Sequence, residues 1–174
     1  MENNWYVLTG GPGSGKTSLI EQLKQRGHNT VQESARYQIE KQLKKGIPVE
    51  QIRKDERAFQ LAVFEHKQML HKALKPGTLT FFDRGYHDSL AYLEYHGLEI
   101  EKAILDICKN TSYKKVFVLD MLPYRKDHAR NEAHEVATGL HAALASVYKQ
   151  YGHEVVIVPV LPVSQRADWI ETHL

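Results

Sequence analysis

The stretch Gly10-Gly11-Pro12-Gly13-Ser14-Gly15-Lys16-Thr17 decides the fold of this 174-residue chain. It matches the pattern G-x-x-x-x-G-K-[ST], a loop in which backbone N–H groups cradle phosphates. The pattern is specific only between a strand and a helix, and here an apolar run at 5–8 precedes it and a helical pattern at 18–23 follows. A glycine-rich turn that only caps a helix is therefore the weaker interpretation, and the stretch predicts a nucleoside triphosphate site.

The loop assigns a role to each of its residues. Lys16 is expected to reach the β- and γ-phosphates, and the Thr17 hydroxyl is expected to ligate Mg²⁺. The N-K-x-D signature with which GTPases read guanine is absent from the sequence, which favours ATP. The residues expected to bind ATP and its metal are Gly10, Gly11, Pro12, Gly13, Ser14, Gly15, Lys16, Thr17 and Ser18.

Short β-rich runs alternate with helical patterns along the rest of the chain. Strands are predicted at 5–9, 28–32, 79–83, 115–119 and 154–159, and helical regions at 15–26, 34–74, 86–110, 132–151 and 163–173. This alternation predicts a single α/β domain over 1–174, a three-layer αβα sandwich of the P-loop NTPase fold with a mostly parallel five-stranded sheet. Ligands of such sheets bind beyond the carboxyl ends of the strands.

Charged residues close the third predicted strand. Asp83 ends that strand and is expected to join Thr17 at the metal, although an Asp that caps the next helix is the alternative. Arg84 follows directly and is expected to hold a phosphoryl group or the substrate. An ion pair with a neighbouring carboxylate is the alternative for Arg84.

Two more charged residues follow the second predicted strand. Glu33 is a candidate for accepting a proton or hydrogen bond from a substrate hydroxyl, and an ordinary acidic residue at a helix start is the alternative. Arg36 lies one helical turn later, where it can pair with Glu33 or contact substrate. Glu33, Arg36 and Arg84 therefore form the expected substrate-binding set.

Two loops complete the expected site. The polar, basic segment 121–135 is predicted to be a lid over the triphosphate, with Arg125 and Arg130 neutralising charge during transfer. An exposed loop with solvated arginines is the alternative. The segment 159–163 borders the adenine ring in one interpretation and is a plain strand-to-helix connection in another.

Composition narrows the class of protein. The formal net charge is +2, and the basic residues at 41–54 are interleaved with acidic ones, which is not typical of a nucleic-acid surface. No segment reaches the ~20 apolar residues of a membrane span, and the N-terminus has no secretory pattern. The single cysteine, Cys108, lies on an apolar helical stripe and is expected to be a core thiol. A cytoplasmic location is therefore expected, and the oligomeric state stays open.

Ten histidines occur without the spacing of a metal site. His134 and His141, seven residues apart, are expected to be exposed or half-buried on one helix face. His87 is of interest because it is close to Asp83 and Arg84 in sequence.

The loop together with 33–36, 82–85, Asp88, 91–92 and a tail that includes Arg166 resembles the P-loop predicted-ATPase domains, of AAA type, related to the kinase half of NadR. The resemblance covers nearly the whole chain. The Asp83-Arg84 pair is similar to the corresponding strand end of thymidylate kinases, and Glu33 is placed like the acidic residue of nucleoside kinases. The chain is too short to carry the extra helical domain of ring-forming AAA proteins.

The resemblance implies ATP–Mg²⁺ binding and phosphoryl transfer. The leading hypothesis is a small-molecule kinase that acts on a nucleoside, a nucleotide or a similar metabolite, with Lys16, Glu33, Arg84, Arg125 and Arg130 as catalytic residues. The alternative is an ATPase or nucleotide-dependent switch or binding module without a small-molecule acceptor. Neither the acceptor nor the choice between an acceptor hydroxyl and an acceptor phosphate follows from the sequence.

Overall fold

The computed structural model describes residues 3–75, 77–121 and 131–174, with the backbone alone for 131–134. The five strands of the sheet lie in the order β2-β3-β1-β4-β5, and each neighbouring pair is parallel. Their bounds are β1 Trp5–Thr9, β2 Asn29–Val31, β3 Thr80–Asp83, β4 Lys115–Leu119 and β5 Val155–Val158. The prediction of a five-stranded α/β sheet is confirmed, and the sheet is wholly parallel where it was expected to be mostly so.

The helices connect the parallel strands and cover both faces of the sheet. They are α1 Lys16–Gln25, α2 Ser34–Leu43, α3 Val49–Ile52, α4 Glu56–Lys72, α5 Tyr86–Tyr95, α6 Lys102–Asn110, α7 Asn131–Gln150 and α8 Val163–Glu171. Within the described ranges, none of these helices has the length and apolarity to cross a membrane.

Alternation along β1 separates the two helical layers. Tyr6 and Leu8 point to the face covered by α1 and α8, where they pack with Leu23 and Ile170. Val7 points to the opposite face and packs with side chains that include Tyr148 of α7. Helices α4 to α7 form their own apolar cluster on that side. The result is the predicted αβα sandwich.

Two predicted helical regions are divided in the structure. The region 34–74 contains three helices, interrupted at Gly46, which has a φ of +80°, and at Asp55, which caps α4 by accepting a hydrogen bond from Ala58 N. The region 86–110 is interrupted at Gly97, with a φ of +62°. Glycine stops a helix at such points because it adopts the left-handed conformation without strain.

The core contains the only cysteine of the chain. Cys108 is 1% exposed, and burial raises the pKa of its thiol to about 12. The prediction of a core thiol is therefore confirmed.

The register of the sheet brings several of the candidate functional residues to one edge. Leu8 of β1 is paired with Asp83 of β3, and Val31 of β2 is paired with Phe82. The residues that follow these strands therefore lie close together, because parallel strands end at the same edge. These residues include the phosphate loop, Glu33 and Arg84.

Candidate active site

The phosphate loop has the backbone geometry of an anion-binding site. Gly10, Gly13 and Gly15 have φ values of +141°, +75° and +86°, which side chains other than glycine rarely adopt. At Gly10 a Cβ atom would lie 2.8 Å from the Leu119 carbonyl oxygen, so the loop lies directly against β4.

Five backbone N–H groups of the loop and the helix start that follows it have no acceptor within the described part of the chain. They belong to Gly13, Gly15, Lys16, Thr17 and Ser18. The last three are the first turn of α1, where an α-helix leaves its N–H groups free and carries partial positive charge. A cradle of this kind suits phosphate oxygens, so the fit expected from the sequence is present in the backbone.

Lys16 lies across its own loop. Its Nζ donates hydrogen bonds to Gly10 O and Gly11 O, both at 3.0 Å, and to Ser14 Oγ at 3.2 Å. Burial, followed by the nearby Arg84 cation, lowers the pKa of Lys16 to about 8. The ammonium group is thus held in position by neutral oxygens, next to the free N–H groups.

Two side chains from the C-terminal helices α7 and α8 make hydrogen bonds with the backbone of the phosphate loop. His141 of α7 accepts a hydrogen bond from Gly11 N through Nδ1 at 3.1 Å, and desolvation lowers the pKa of this histidine. Arg166 of α8 is 3% exposed and donates to three carbonyl oxygens, on Ser14 at 2.7 Å, Pro159 at 2.9 Å and Asp120 at 3.3 Å. Arg166 therefore ties the loop to the segments that follow β4 and β5.

Replacement of Arg166 by methionine is expected to lower the free energy of unfolding by about 2–3 kcal/mol, since three carbonyls lose a charged donor. Urea denaturation measures this change. Arg57→Met is the matched control, because Arg57 makes only exposed contacts with Glu99 and Glu101 and should contribute less than about 1 kcal/mol. Equal losses in the two variants would contradict the role of Arg166.

Asp83 is a buried carboxylate with an unsatisfied oxygen. It is 4% exposed, and its Oδ1 has no hydrogen-bond partner among the described residues. Burial, reinforced by the negative charge of Glu33, raises the pKa of Asp83 to about 6. Gly85 rather than Asp83 caps the next helix. A free buried oxygen at this strand end fits the predicted metal ligand, together with Thr17, which lies exposed on the loop.

Arg84 joins Glu33 to α5. Its Nε donates to Glu33 Oε1 at 2.8 Å, its Nη1 donates to Asp88 Oδ1 at 3.0 Å, and its guanidinium lies 5.4 Å from the ring centre of Tyr92. Among the described residues it is the one non-glycine residue with positive φ, at +70°. The ion-pair alternative for Arg84 is thus present in the structure. Strained backbone conformations of this kind occur preferentially at functional sites.

Glu33 is the N-cap residue of α2 but makes no capping hydrogen bond with its side chain. Its carboxylate is directed to Arg84 instead, with a quarter of its side-chain area exposed. Arg36, expected either to pair with Glu33 or to contact substrate, is exposed and has no ion-pair partner among the described residues.

Asp88 organises this corner of the site. Its two oxygens accept hydrogen bonds from the Thr9 hydroxyl, the Tyr148 hydroxyl and Gly85 N, in addition to Arg84. Burial alone would raise the pKa of Asp88, but Arg84 and other cations outweigh burial and the pKa is lowered. Asp88 is therefore a fully bonded carboxylate that orients its neighbours.

A cavity of about 670 Å³ joins the phosphate loop to these charged residues. Gly13, Lys16 and Thr17 line one end, while Glu33, Arg36 and Arg84 line the wall formed by the strand ends and α2. The remaining lining includes apolar and aromatic side chains, namely Ile39, Phe59, Val63 and Tyr92. The structure thus brings the predicted donor loop and the predicted substrate residues into one cavity.

Some predicted residues do not join this cavity. Arg125 and Arg130, together with most of the predicted lid, lie outside the described residues. His87 is fully buried, and its Nε2 lies 3.2 Å from His153 Nε2 within an aromatic cluster. Burial lowers the pKa of His87 to about 3. His87 does not line the cavity, because its ring packs into the protein interior.

Sequence reasoning assigned no role in the site to Asp88, Lys67 and His141. Asp88 has a detectable signal, since it stands three residues after the N-cap Gly85, the spacing of a capping box. Lys67, which lines the cavity, and His141 have no local signal, because each reaches the site from a helix distant in sequence.

Comparison with known proteins agrees with this fold. A family model described as an AAA domain matches residues 5–166. The fold is similar to thymidylate kinase from Ehrlichia chaffeensis, with 13% identity, a TM-score of 0.65 and 98% of each chain covered. It is also similar to deoxyadenosine kinase from M. mycoides with bound dCTP, with 16% identity, a TM-score of 0.61 and 97% of each chain covered.

A third solved structure, NadR in complex with NR, has 14% identity and a TM-score of 0.62, with 98% of this chain and 49% of that chain covered. No curated protein sequence matches this chain. Structural similarity at such low sequence identities demonstrates the fold alone. Family membership rests on the family model, which spans most of the sequence and includes the whole phosphate loop. The chain therefore belongs to the AAA domain family and has the fold of the P-loop kinases.

Proposed function

We propose that this protein is a kinase that transfers the γ-phosphoryl group of Mg·ATP to a small molecule, such as a nucleoside or nucleotide-like metabolite. One observation carries the proposal: the phosphate loop and the Glu33–Arg84 pair line a single cavity of about 670 Å³. A pure ATPase needs the loop but has no use for an adjoining pocket with apolar walls. Phosphoryl transfer, by contrast, depends on positioning two substrates side by side.

The donor half of the site is the loop with its free N–H groups and Lys16. Thr17 and the unsatisfied oxygen of Asp83 would hold the metal, and Mg²⁺ typically takes its other ligands from phosphate and water. Bound Mg·ATP supplies the phosphoryl group and the cation that offsets its charge. Lys16 is expected to release its loop carbonyls for phosphate oxygens, which are stronger acceptors.

The acceptor half is formed by Glu33 and Arg84. Glu33 uses Oε1 to accept from Arg84, which leaves Oε2 to orient an acceptor hydroxyl and take its proton. If the acceptor atom is a phosphate oxygen, no base is needed, and Arg84 becomes the group that positions it. Structural similarity to thymidylate kinase and deoxyadenosine kinase supports an acceptor of nucleoside type.

Product analysis separates the candidate functions. Purified protein is incubated with Mg·ATP and a panel of nucleosides, nucleotides and hydroxylated metabolites, and ADP is followed over time. ADP formation that depends on one class of acceptor supports the kinase. Steady ADP formation without an acceptor would support an ATPase, and no ADP under either condition would support a binding module.

Glu33→Gln is expected to lower kcat by about 100-fold and to change the affinity for an ATP analogue by less than about threefold, because the amide cannot take a proton. Steady-state kinetics and calorimetry measure the two quantities. Glu40→Gln is the matched control, since Glu40 lies on the same helix and also lines the cavity. If Glu33→Gln behaves like Glu40→Gln, Glu33 is no more than a residue at a helix start.

A further inference from the structure

Lys67 is a buried lysine in the wall of the cavity. It belongs to α4, is 4% exposed, and lines the same cavity as Glu33 and Arg84. Its Nζ donates to Gly85 O at 2.6 Å and to Ser89 Oγ at 2.9 Å. An ammonium group has three donors, so one N–H group of Lys67 has no acceptor among the described residues.

Lys67 makes no direct ion pair with a carboxylate in the part of the chain that the structure describes. None of the ion pairs among the described residues includes Lys67, and its two acceptors are neutral oxygens. Lysine is seldom buried without a carboxylate, because its desolvation is unfavourable. Asp88, an acidic side chain of the same cavity wall, is already bonded to Arg84, Thr9 and Tyr148.

Basic side chains also outnumber acidic ones in the lining of the cavity as a whole. Its described lining contains five basic and three acidic residues. Glu33 and Asp88 are both paired with Arg84, so that Lys67 in the wall and Arg36 at the exposed side are left without acidic partners. Clefts with an excess of one charge concentrate ligands of the opposite charge.

We propose that Lys67 binds an anionic group of the acceptor, so that the acceptor is a hydroxylated metabolite carrying a phosphate ester or a carboxylate. This inference rests on the proposed kinase function and narrows its substrate class. Lys67 would contact the anionic group, while Glu33 orients the hydroxyl.

The protonation of Lys67 is compatible with this role. Burial lowers the pKa of Lys67 to about 8. The charges of Asp88, Glu33 and Cys108 oppose this lowering, and the charge of Arg84 adds to it. The side chain therefore remains mostly cationic at neutral pH.

Calorimetry with matched probes tests the proposal without turnover. The phosphate loop is first saturated with Mg²⁺ and a non-hydrolysable ATP analogue. Neutral and anionic members of one scaffold are then titrated: thymidine against thymidine monophosphate, ribose against ribose 5-phosphate, and glycerol against glycerate. The first two pairs report on phosphate and the third on carboxylate. The protein is tested as wild type, Lys67→Met, Lys67→Arg and Lys72→Met, the last being an exposed lysine on the same helix.

We expect the wild type to prefer at least one anionic member over its neutral counterpart by about tenfold or more. Lys67→Met should abolish that preference, while Lys67→Arg and Lys72→Met retain it. Equal affinities in wild type and Lys67→Met, or a wild type that binds none of the anionic probes, would overturn the proposal. If Lys67→Met fails to fold, a wild type that shows no preference for any anionic probe still overturns the proposal. Failure of the kinase function is seen separately, as absence of acceptor-dependent ADP.

Discussion

Replacing Lys16 by alanine is expected to lower turnover of Mg·ATP by about 100-fold or more while the fold stays intact. Lys16 is the cation held directly beside the free N–H groups of the loop, and loss of one preorganised donor to transferring phosphate has an effect of this size. ADP formation measures turnover, and circular dichroism with urea denaturation measures the fold.

Lys24→Ala is the matched control for this experiment. Lys24 lies on the same helix but is exposed and remote from the loop. It should leave both turnover and ATP-analogue affinity within about twofold of wild type. Unaltered turnover in Lys16→Ala would remove the basis for assigning the loop to phosphate binding.

Asp83→Asn is expected to abolish magnesium-dependent turnover and, at the same time, to stabilise the metal-free protein. An amide is a poorer ligand for Mg²⁺ than a carboxylate, so we expect activity to fall by about 100-fold. The gain in stability has a separate cause. The ionised carboxylate is buried with one oxygen unsatisfied, which is unfavourable for the folded state.

The stabilisation by Asp83→Asn should depend on pH. Because burial, followed by Glu33, raises the pKa of Asp83 to about 6, the folded chain holds its proton where the unfolded chain has already lost it. The loss of folding stability caused by ionised Asp83 is therefore absent below about pH 4, grows between pH ~4 and ~6, and is complete above that range. Two units of pKa correspond to about 3 kcal/mol, so we expect a gain of about 1–3 kcal/mol at pH 8.

Urea denaturation in EDTA at pH 4 and pH 8 measures this dependence. Asp106→Asn is the control, because Asp106 is an exposed carboxylate on α6. Asp106→Asn should leave turnover unchanged and should alter the free energy of unfolding by less than about 0.5 kcal/mol. A destabilised Asp83→Asn at pH 8, or one with full activity, would contradict the role assigned to Asp83.

Much of the fold could be predicted from the sequence because its signals are local. A strand, six loop residues and a helix follow one another without interruption from Trp5 to Gln25, so neighbouring residues determine their geometry. Continuous apolar runs likewise predict buried parallel strands. The division at Gly46 was not predicted, because neighbouring helical patterns of similar character merge when only the sequence is considered.

The arrangement of the candidate substrate and metal residues was predictable only in part. Asp83 ends a strand, and Glu33 and Arg84 follow strands. Because parallel strands end at one edge of a sheet, these residues were expected to lie close together. The partners that hold them were not predictable. His87 and Asp88 are adjacent in sequence, yet one packs into an aromatic cluster and the other binds Arg84, because a helix directs successive side chains to different faces.

By itself, the sequence determined that this chain folds as an α/β P-loop domain and where the phosphate loop lies, since glycine conformations and a helix start are properties of contiguous residues. Only the tertiary structure decided what faces that loop. It placed Lys67 and Asp88 from two separate helices in the same cavity wall as Glu33 and Arg84, with no ion pair to the lysine among the described residues. Burial and charge pairing arise when distant segments pack, and they set the electrostatics of this cavity.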